Sequence, residues 1–263
     1  MAHRNEGWEP RKTPVFILCG GLGERLRTVE PGPKALVEVA GRPFLGHLFD
    51  QLAEIGFARV HLLVGVGADA IVAAAPGLAG ELMVSWTRED SPLGTGGAIR
   101  NAREHAGEVT LVVNADSYTA CNWAALGAAH LQAGDRAPGV GESAVDRGMV
   151  TVVAVWEEER GDYGGIELAA AAGGPAAVLA FQEKGQNSDG YINAGIYLFD
   201  RAVIDEIPSG SSSLEHELLP RLAREARLYA SPQRCYFRDI GTPERLAAAR
   251  VEFTQHPPRR IVR

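Results

Sequence analysis

The sequence of 263 residues is poor in cysteine and has no long apolar run. Its three cysteines, Cys19, Cys121 and Cys235, form no Cys-x-x-Cys pair, which argues against a structural zinc site and a disulfide framework. No apolar run approaches the roughly 20 residues of a membrane span, and residues 1–13 lack the apolar centre of a secretory signal. The sequence therefore predicts no membrane attachment and a cytoplasmic location.

An excess of positive charge is also missing. The formal net charge is −7, whereas a general nucleic-acid binder needs an extended basic surface, so no nucleic-acid partner is expected. Any anionic ligand must instead be held by a local cluster of cations. The hydrophobic content of 46% and the charged content of 22% fit one large α/β domain with a sizeable core.

Strand-like apolar runs alternate with helix-like segments in the first half of the chain. Strands are predicted at 15–18, 60–64, 82–86 and 109–114, and helices at 43–55, 68–75, 96–105 and 123–133. This alternation predicts an α/β fold with a Rossmann-like, mostly parallel sheet and helices on both faces. Beyond residue 148 the pattern changes to strands at 149–156, 164–168, 177–182 and 192–199, which is typical of an antiparallel extension.

These patterns predict a single domain. It covers residues 14–255, with a nucleotide half at about 14–133 and a lid half at about 149–255, a flexible segment at 1–13 and a tail at 256–263. Ser212 and Glu215 have capping-box spacing, which predicts a helix over 214–222 and a structural role for Glu215. A last strand near 235–240 and a helix from Pro243 to about 253 complete the predicted order.

A glycine-rich loop follows the first predicted strand. Residues 18–27 read Leu-Cys-Gly-Gly-Leu-Gly-Glu-Arg-Leu-Arg, and Pro33-Lys34-Ala35-Leu36 closes the loop. Glycines let backbone N–H groups turn toward an anion, while Arg25, Arg27 and Lys34 supply cations, so the loop predicts a triphosphate cradle. A plain strand-to-helix turn is the alternative. The loop lacks both the third glycine of a dinucleotide fingerprint and the Gly-Lys-Ser/Thr of a P-loop.

Two carboxylates stand at the ends of predicted strands. Asp116 follows the apolar run 109–113, and Asp239 follows Tyr236-Phe237-Arg238. Carboxyl ends of strands are where α/β proteins bind ligands, and two carboxylates there suit one Mg²⁺ ion, although a helix cap would also explain Asp116. Asn114 stands where an Asp-x-Asp motif would begin, which counts against a glycosyltransferase that uses a bound nucleotide sugar.

The order Gly-Gly-x-Gly-x-Arg-Leu and then Pro-Lys resembles the sugar-1-phosphate nucleotidyltransferases, also called nucleotide-sugar pyrophosphorylases. Five further segments follow in the order of that family: 92–98, 114–117, 181–185, 191–197 and 239–242. The run Leu-Gly-Thr-Gly-Gly-Ala at 93–98 looks most like the D-glycero-α-D-manno-heptose 1-phosphate guanylyltransferase branch. Glu24 and Cys19 depart from the Thr and Ala that are usual in the family.

The resemblance implies a GT-A-like nucleotidyltransferase fold and a role for each matching residue. The implied roles are catalysis by Arg25 and Lys34; nucleotide binding by Leu18, Gly20, Gly21 and Gly23, with base contacts by Gly94, Thr95 and Gly96; sugar hydroxyl binding by Glu183 and Asn193; sugar phosphate binding by Lys184; space for the sugar ring at Gly195; and Mg²⁺ binding by Asp116 and Asp239. The second half of the domain is then the sugar-binding half.

The implied reaction transfers a nucleoside monophosphate from an NTP, most readily GTP, to a sugar 1-phosphate and releases pyrophosphate. D-glycero-α-D-manno-heptose 1-phosphate is the favoured acceptor. Mannose-1-phosphate guanylyltransferase and N-acetylmuramic acid 1-phosphate uridylyltransferase are rival activities. A non-catalytic nucleotide-sugar sensor is a rival of another class, because Glu24 puts an anionic side chain into the phosphate loop. The formation of a homo-oligomer is left open.

Overall fold

The structure is a computed structural model that describes residues 7–21, 23, 25–26, 29–136, 148–161, 163–170, 174–182 and 188–255. In chain order the strands are β1 (Val15–Leu18), β2 (Glu38–Val39), β3 (Arg42–Pro43), β4 (Arg59–Val64), β5 (Met83–Arg88), β6 (Val109–Asn114), β7 (Ser117–Thr119), β8 (Val150–Glu157), β9 (Gly165–Leu168), β10 (Ala176–Gln182), β11 (Gly190–Asp200), β12 (Leu228–Gln233) and β13 (Phe237–Asp239).

The helices connect these strands along the chain. They are α1 (Phe44–Ile55), α2 (Ala68–Leu78), α3 (Gly94–Asn101), α4 (Trp123–Arg136), α5 (Arg201–Glu206), α6 (Leu219–Arg224) and α7 (Pro243–Gln255). Short 3₁₀ turns lie at Pro10–Lys12, Lys34–Leu36 and Arg103–His105, and a π-helical turn at Leu214–Leu218 leads into α6. None of the helices in the described ranges is long and apolar enough to cross a membrane.

One nine-stranded sheet carries both halves of the chain. Its strand order is β5-β4-β1-β6-β11-β8-β12-β10-β9. Strands β5, β4, β1 and β6 are parallel, whereas β11 runs antiparallel to both β6 and β8. The predicted parallel sheet with an antiparallel extension is confirmed, and the extension continues the first sheet through the β6–β11 pair.

Helices cover both faces of the sheet, as the alternating buried side chains of β1 demonstrate. Val15 and Ile17 pack with α1, α2 and α4, while Phe16, between them, packs with α3, α5 and α6 on the opposite face. All three side chains have no exposed surface. A strand buried on both faces reads as a continuous apolar run, which explains why β1 was predictable from sequence.

The helix start near residue 214 differs from the prediction. Ser213, and not Ser212, is the N-cap: its hydroxyl accepts the His216 N–H at 3.1 Å, and Glu217 accepts the Ser213 N–H at 3.2 Å. The Ser212 carbonyl instead accepts the Gly96 N–H at 2.9 Å, which holds Ser212 against α3. The capping role predicted for Glu215 is therefore wrong, because Glu217 fills it.

Candidate active site

Two cavities open where the parallel strands end. The loop cavity, of about 360 Å³, is lined by Leu18, Cys19, Gly20, Gly21, Lys34, Ala35, Glu89, Pro92, Gly94, Thr95, Ala98, Asn114, Ala115, Asp116, Leu214 and Glu215. The carboxylate cavity, of about 650 Å³, is lined by Arg25, Asp116, Ser117, Tyr163, Gly164, Gly165, Phe181, Gln182, Asn193, Glu215, His216, Pro220, Phe237, Asp239, Gly241 and Arg245. Asp116 and Glu215 border both cavities, so ligands in the two cavities would meet at these side chains.

The glycine-rich loop leaves β1 and forms one wall of the loop cavity. A Cβ atom on Gly20 would lie 3.3 Å from the Glu89 carboxylate. Gly23 has a φ of +62°, and a Cβ there would lie 3.2 Å from the Lys34 side chain, which lets Lys34 reach the cavity. Leu18, Gly20, Gly21 and Lys34 thus line the cavity, while Gly23 packs behind Lys34.

The two predicted catalytic cations lie in different cavities. Lys34 lines the loop cavity, and its Nζ atom is 3.2 Å from Oδ2 of Asp116. Arg25 lines the carboxylate cavity close to Asp239, because a Cβ on Gly241 would lie 3.8 Å from Nη2 of Arg25 and 2.7 Å from Oδ1 of Asp239. Positive charge therefore stands on both sides of the shared wall.

The second glycine segment begins α3. Gly94 has a φ of +67°, and a Cβ there would lie 2.5 Å from the Ser212 carbonyl oxygen. Gly94 and Thr95 line the loop cavity, and the Thr95 hydroxyl accepts the Leu214 N–H at 2.8 Å. Gly96 does not line the cavity, and its N–H donates to the Ser212 carbonyl. A Cβ on Gly96 would lie 2.6 Å from the Ser212 hydroxyl, so the glycine here allows close packing against Ser212.

Glu89 lines the loop cavity but belongs to none of the motifs identified in the sequence. Its carboxylate accepts the Leu93 N–H at 3.0 Å. Burial raises the pKa of Glu89, and the Leu93 N–H partly opposes that shift. The sequence predicted that this strand ends at Trp86, whereas β5 ends at Arg88. Only the observed end shows that Glu89 directly follows a strand.

The two predicted metal carboxylates are brought together by short strands. β7 and β13 pair antiparallel with Ser117 opposite Asp239, and the Ile240 N–H donates to the Asp116 carbonyl at 2.9 Å. Both carboxylates border the carboxylate cavity. Asp239 is 7% exposed, and it accepts hydrogen bonds from the Gly241 N–H at 2.7 Å and from the Tyr163 hydroxyl.

This pair suits a hard divalent cation. Within the described ranges, no group of three or more His, Cys, Asp or Glu side chains is placed to hold a metal ion. Mg²⁺ commonly binds one or two carboxylates and takes its remaining oxygens from water and substrate phosphates. Asp116 and Asp239 supply that set on the wall of a cavity large enough for a phosphorylated ligand.

Tyr163 and Arg245 surround Asp239, and neither was predicted as a site residue. The Arg245 guanidinium lies 3.8 Å from the centre of the Tyr163 ring, and its Nη1 atom is 3.1 Å from the Asp239 carboxylate. Burial and the Asp239 charge both raise the pKa of Tyr163, so its hydroxyl stays a proton donor. These contacts fix the position of the Asp239 side chain.

Of the predicted sugar-site residues, Asn193 lines the carboxylate cavity. Its Oδ1 atom accepts the Gly195 N–H at 3.0 Å, and its Nδ2 atom donates to the Tyr197 hydroxyl at 2.8 Å. Gly195 has a φ of +71°, and a Cβ there would lie 2.6 Å from Nδ2 of Asn114, so this glycine makes room for Asn114. Glu183 and Lys184 lie outside the described residues.

The sequence matches the model of the Nucleotidyl transferase family over residues 15–256. The chain is 32% identical to mannose-1-phosphate guanylyltransferase from Mycobacterium tuberculosis, over 88% of this chain and 61% of that protein. It thus spans less than two thirds of the length of that relative. It is 29% identical to D-glycero-alpha-D-manno-heptose 1-phosphate guanylyltransferase from Aneurinibacillus thermoaerophilus, over 92% of this chain and 98% of that protein.

Solved structures of one protein have a fold similar to that of this chain. The crystal structure of HddC from Yersinia pseudotuberculosis superposes with a TM-score of 0.76 at 28% identity, covering 92% of this chain and 99% of that one. The same protein complexed with GMP-PN superposes with a TM-score of 0.74. The match covers almost the whole chain, including both cavities and their shared wall, and the chain therefore belongs to the nucleotidyl transferase family.

Proposed function

We propose that the protein transfers a nucleoside monophosphate from an NTP to a sugar 1-phosphate and releases pyrophosphate. The observation that carries this proposal is the pair of adjoining cavities, one with a glycine-rich loop and one with two carboxylates, which share Asp116. Two separate anionic substrates need such adjoining sites if one is to attack the other in line. The named activities of the relatives support the same reaction.

GTP is the proposed nucleotide. Guanine presents two N–H donors on its pairing edge, N1–H and the N2 amino group, and a carboxylate can accept both. Glu89 offers such a carboxylate inside the loop cavity. The complex of HddC with GMP-PN and the guanylyltransferase names of the relatives support this choice. Base contacts by Gly94 and Thr95 belong to the same proposal.

Charge neutralisation is the main task of the site. The acceptor phosphate has a second pKa of about 6, so it is largely ionised near neutral pH and needs no dedicated general base. Lys34 stabilises negative charge on the nucleotide phosphates, and Arg25 does so from the acceptor side. Asp116 and Asp239 would hold Mg²⁺, which neutralises phosphate oxygens when it is bound.

The proposed acceptor is D-glycero-α-D-manno-heptose 1-phosphate. The run Leu-Gly-Thr-Gly-Gly-Ala at 93–98 and the similarity to the heptose relative support this acceptor, and mannose 1-phosphate is the alternative that the mannose relative supports. Glu183 and Asn193 bind sugar hydroxyls in this proposal, and Lys184 binds the sugar phosphate. A cytoplasmic location is also part of the proposal and agrees with Cys19, Cys121 and Cys235 being free thiols.

A substrate panel tests the proposal. Pyrophosphate release is measured with GTP, UTP, dTTP and ATP, each with heptose, mannose and N-acetylmuramic acid 1-phosphates and Mg²⁺. We expect GTP with a manno-configured acceptor to give the highest kcat/KM. A preference for UTP with N-acetylmuramic acid 1-phosphate would overturn the guanylyltransferase assignment. Nucleotide-sugar binding without any pyrophosphate release would favour the sensor.

A further inference from the structure

The Asp239 carboxylate is already surrounded by donors within the protein. Its Oδ1 atom accepts the Gly241 N–H at 2.7 Å and lies 3.1 Å from Nη1 of Arg245. Its Oδ2 atom accepts the Tyr163 hydroxyl and also lies 3.1 Å from the same Nη1 atom. A carboxylate has about four lone-pair sites. The three donors use at least three of these sites, and Nη1 of Arg245 lies against both oxygens, so an arriving metal ion meets the guanidinium at either oxygen.

Arg245 is the donor best placed to leave. The Gly241 N–H belongs to the turn that follows Asp239, so it cannot move away without unfolding that turn. The Tyr163 ring packs edge-on against Phe237, which holds it in the wall of the cavity. Arg245 instead reaches Asp239 with a long side chain from the first turn of α7, where its guanidinium also stacks on the Tyr163 ring, and its positive charge would repel an arriving cation.

We propose that Arg245 is a positioning residue that acts as an internal counter-ion of Asp239 and that a divalent metal ion must displace. The inference rests on the proposed function, because it takes Asp116 and Asp239 as the metal site. Arg245 itself borders the carboxylate cavity, where the acceptor phosphate would lie. Once displaced, its guanidinium gains a new anionic partner when that phosphate is present. Metal binding and acceptor binding are thereby coupled in a favourable direction.

Mn²⁺ binding to the full chain tests this inference without any catalytic readout. The dissociation constant is measured by electron paramagnetic resonance of free Mn²⁺, without nucleotide, in the presence and absence of mannose 1-phosphate. Arg245→Gln should bind Mn²⁺ roughly tenfold more tightly, the factor expected for one hydrogen bond to a charged group. Mannose 1-phosphate should tighten Mn²⁺ binding by a larger factor in the unmodified chain than in this variant.

Two further variants make the result specific. Arg238→Gln is the matched control, because Arg238 is adjacent to Asp239 in sequence but pairs with Glu252 at 2.8 Å, and it should leave Mn²⁺ affinity unchanged. Arg245→Lys keeps the charge but loses the planar fork, so it should give an intermediate affinity, and it carries the test if Arg245→Gln does not fold.

The outcomes separate this inference from the proposed metal site. If Asp239→Asn weakens Mn²⁺ binding but both Arg245 variants bind it like the unmodified chain, the counter-ion role is overturned and the metal site stands. If Asp239→Asn and Asp116→Asn both leave Mn²⁺ affinity unchanged, the metal site itself is wrong, and the inference fails with it.

Discussion

At the scale of the residue, the proposed contact of Glu89 with guanine makes one side chain responsible for the choice of base. Glu89→Gln replaces one acceptor oxygen by an N–H donor that would face a donor of guanine. We expect kcat/KM for GTP to fall by roughly 10- to 100-fold, with a smaller loss for ATP, because an unpaired buried donor discriminates strongly. Steady-state pyrophosphate release with both nucleotides measures the change in preference.

Asp90→Asn is the control for this prediction. Asp90 is the next residue along the chain, is exposed and lies outside the wall of the loop cavity. The ratio of kcat/KM for GTP and ATP should be the same in this variant and in the unmodified chain. A GTP preference that survives unchanged in Glu89→Gln would show that the base is read elsewhere.

Asp116 borders both cavities. Its replacement should therefore lower the rate of the chemical step more than the affinity for either substrate. Asp116→Asn keeps the shape of the side chain but removes the charge that pairs with Lys34. We expect kcat to fall by roughly two orders of magnitude or more, as for the loss of a preorganised electrostatic group. Single-turnover assays measure the effect.

An exposed aspartate gives the comparison for Asp116. Asp69→Asn makes the same chemical change at a side chain that is 87% exposed and pairs with Arg88 on the surface. Its kcat should match that of the unmodified chain. If Asp116→Asn folds and also turns over at the unmodified rate, Asp116 has no part in the reaction.

Site residues differ in how far the sequence predicts them. Asp116 and the glycine loop follow the buried strands β6 and β1, whose ends are visible in the sequence as the ends of apolar runs. Glu89 follows the edge strand β5, where Ser85 and Arg88 interrupt the apolar pattern and hide the strand end. Tyr163 contacts Asp239 from about 75 residues earlier in the chain, and Arg245 contacts it from the helix that follows. No local sequence pattern predicts either contact.

At the scale of the element, β4 and β5 are joined by a buried histidine. The ring nitrogens of His61 lie 2.7 Å from the hydroxyl oxygens of Ser85 and Thr87, and its ring stacks on His105 at 3.9 Å. His61 is 3% exposed. Burial, with a smaller effect of His105, lowers the pKa of His61 to about 4. The folded chain therefore prefers the neutral ring.

This preference predicts a pH-dependent stability. The unfolded chain binds a proton on His61 below about pH 6.5, whereas the folded chain does so only near pH 4. The free energy of unfolding should be unaffected by His61 above pH 6.5 and should fall between pH 6.5 and 4. The loss is at most about 3.5 kcal/mol, at roughly 1.4 kcal/mol per pH unit.

Urea unfolding of the unmodified chain and of His61→Gln over this pH range isolates the contribution. The variant should lose less stability than the unmodified chain as the pH falls. His216→Gln removes an exposed histidine and should follow the unmodified chain. Parallel curves for all three proteins would mean that the protonation of His61 is not linked to folding.

The strands missed from the sequence have physical reasons of their own. β7 has three residues, too few to display a period of two, and its partner β13, which the strand predicted near 235–240 contains, lies more than a hundred residues away. β12 contains Pro232, which argues against a central strand, although it lies between β8 and β10. By contrast β1 and β6 were predicted with their observed bounds, because burial on both faces leaves continuous apolar runs.

At the scale of the whole molecule, the two halves of the chain share one sheet. β11 from the second half lies between β6 from the first half and β8 from the second. Neither half can complete its sheet alone, so we expect a single cooperative unfolding transition. Hydrogen-exchange mass spectrometry at increasing urea concentration should give the same midpoint for peptides from β1 and from β8. Two separate midpoints would contradict this prediction.

The shared wall between the two cavities also bears on what happens after the reaction. A nucleotide sugar would occupy both cavities as one molecule. Its binding costs the translational entropy of one molecule, whereas the binding of the two substrates costs that of two. It should leave more slowly than pyrophosphate, and it should compete with the NTP and with the sugar 1-phosphate alike. Under the proposed function, the protein would then be inhibited by its own product whenever later steps fail to consume it, so its rate would follow the consumption of the product without a separate regulatory site.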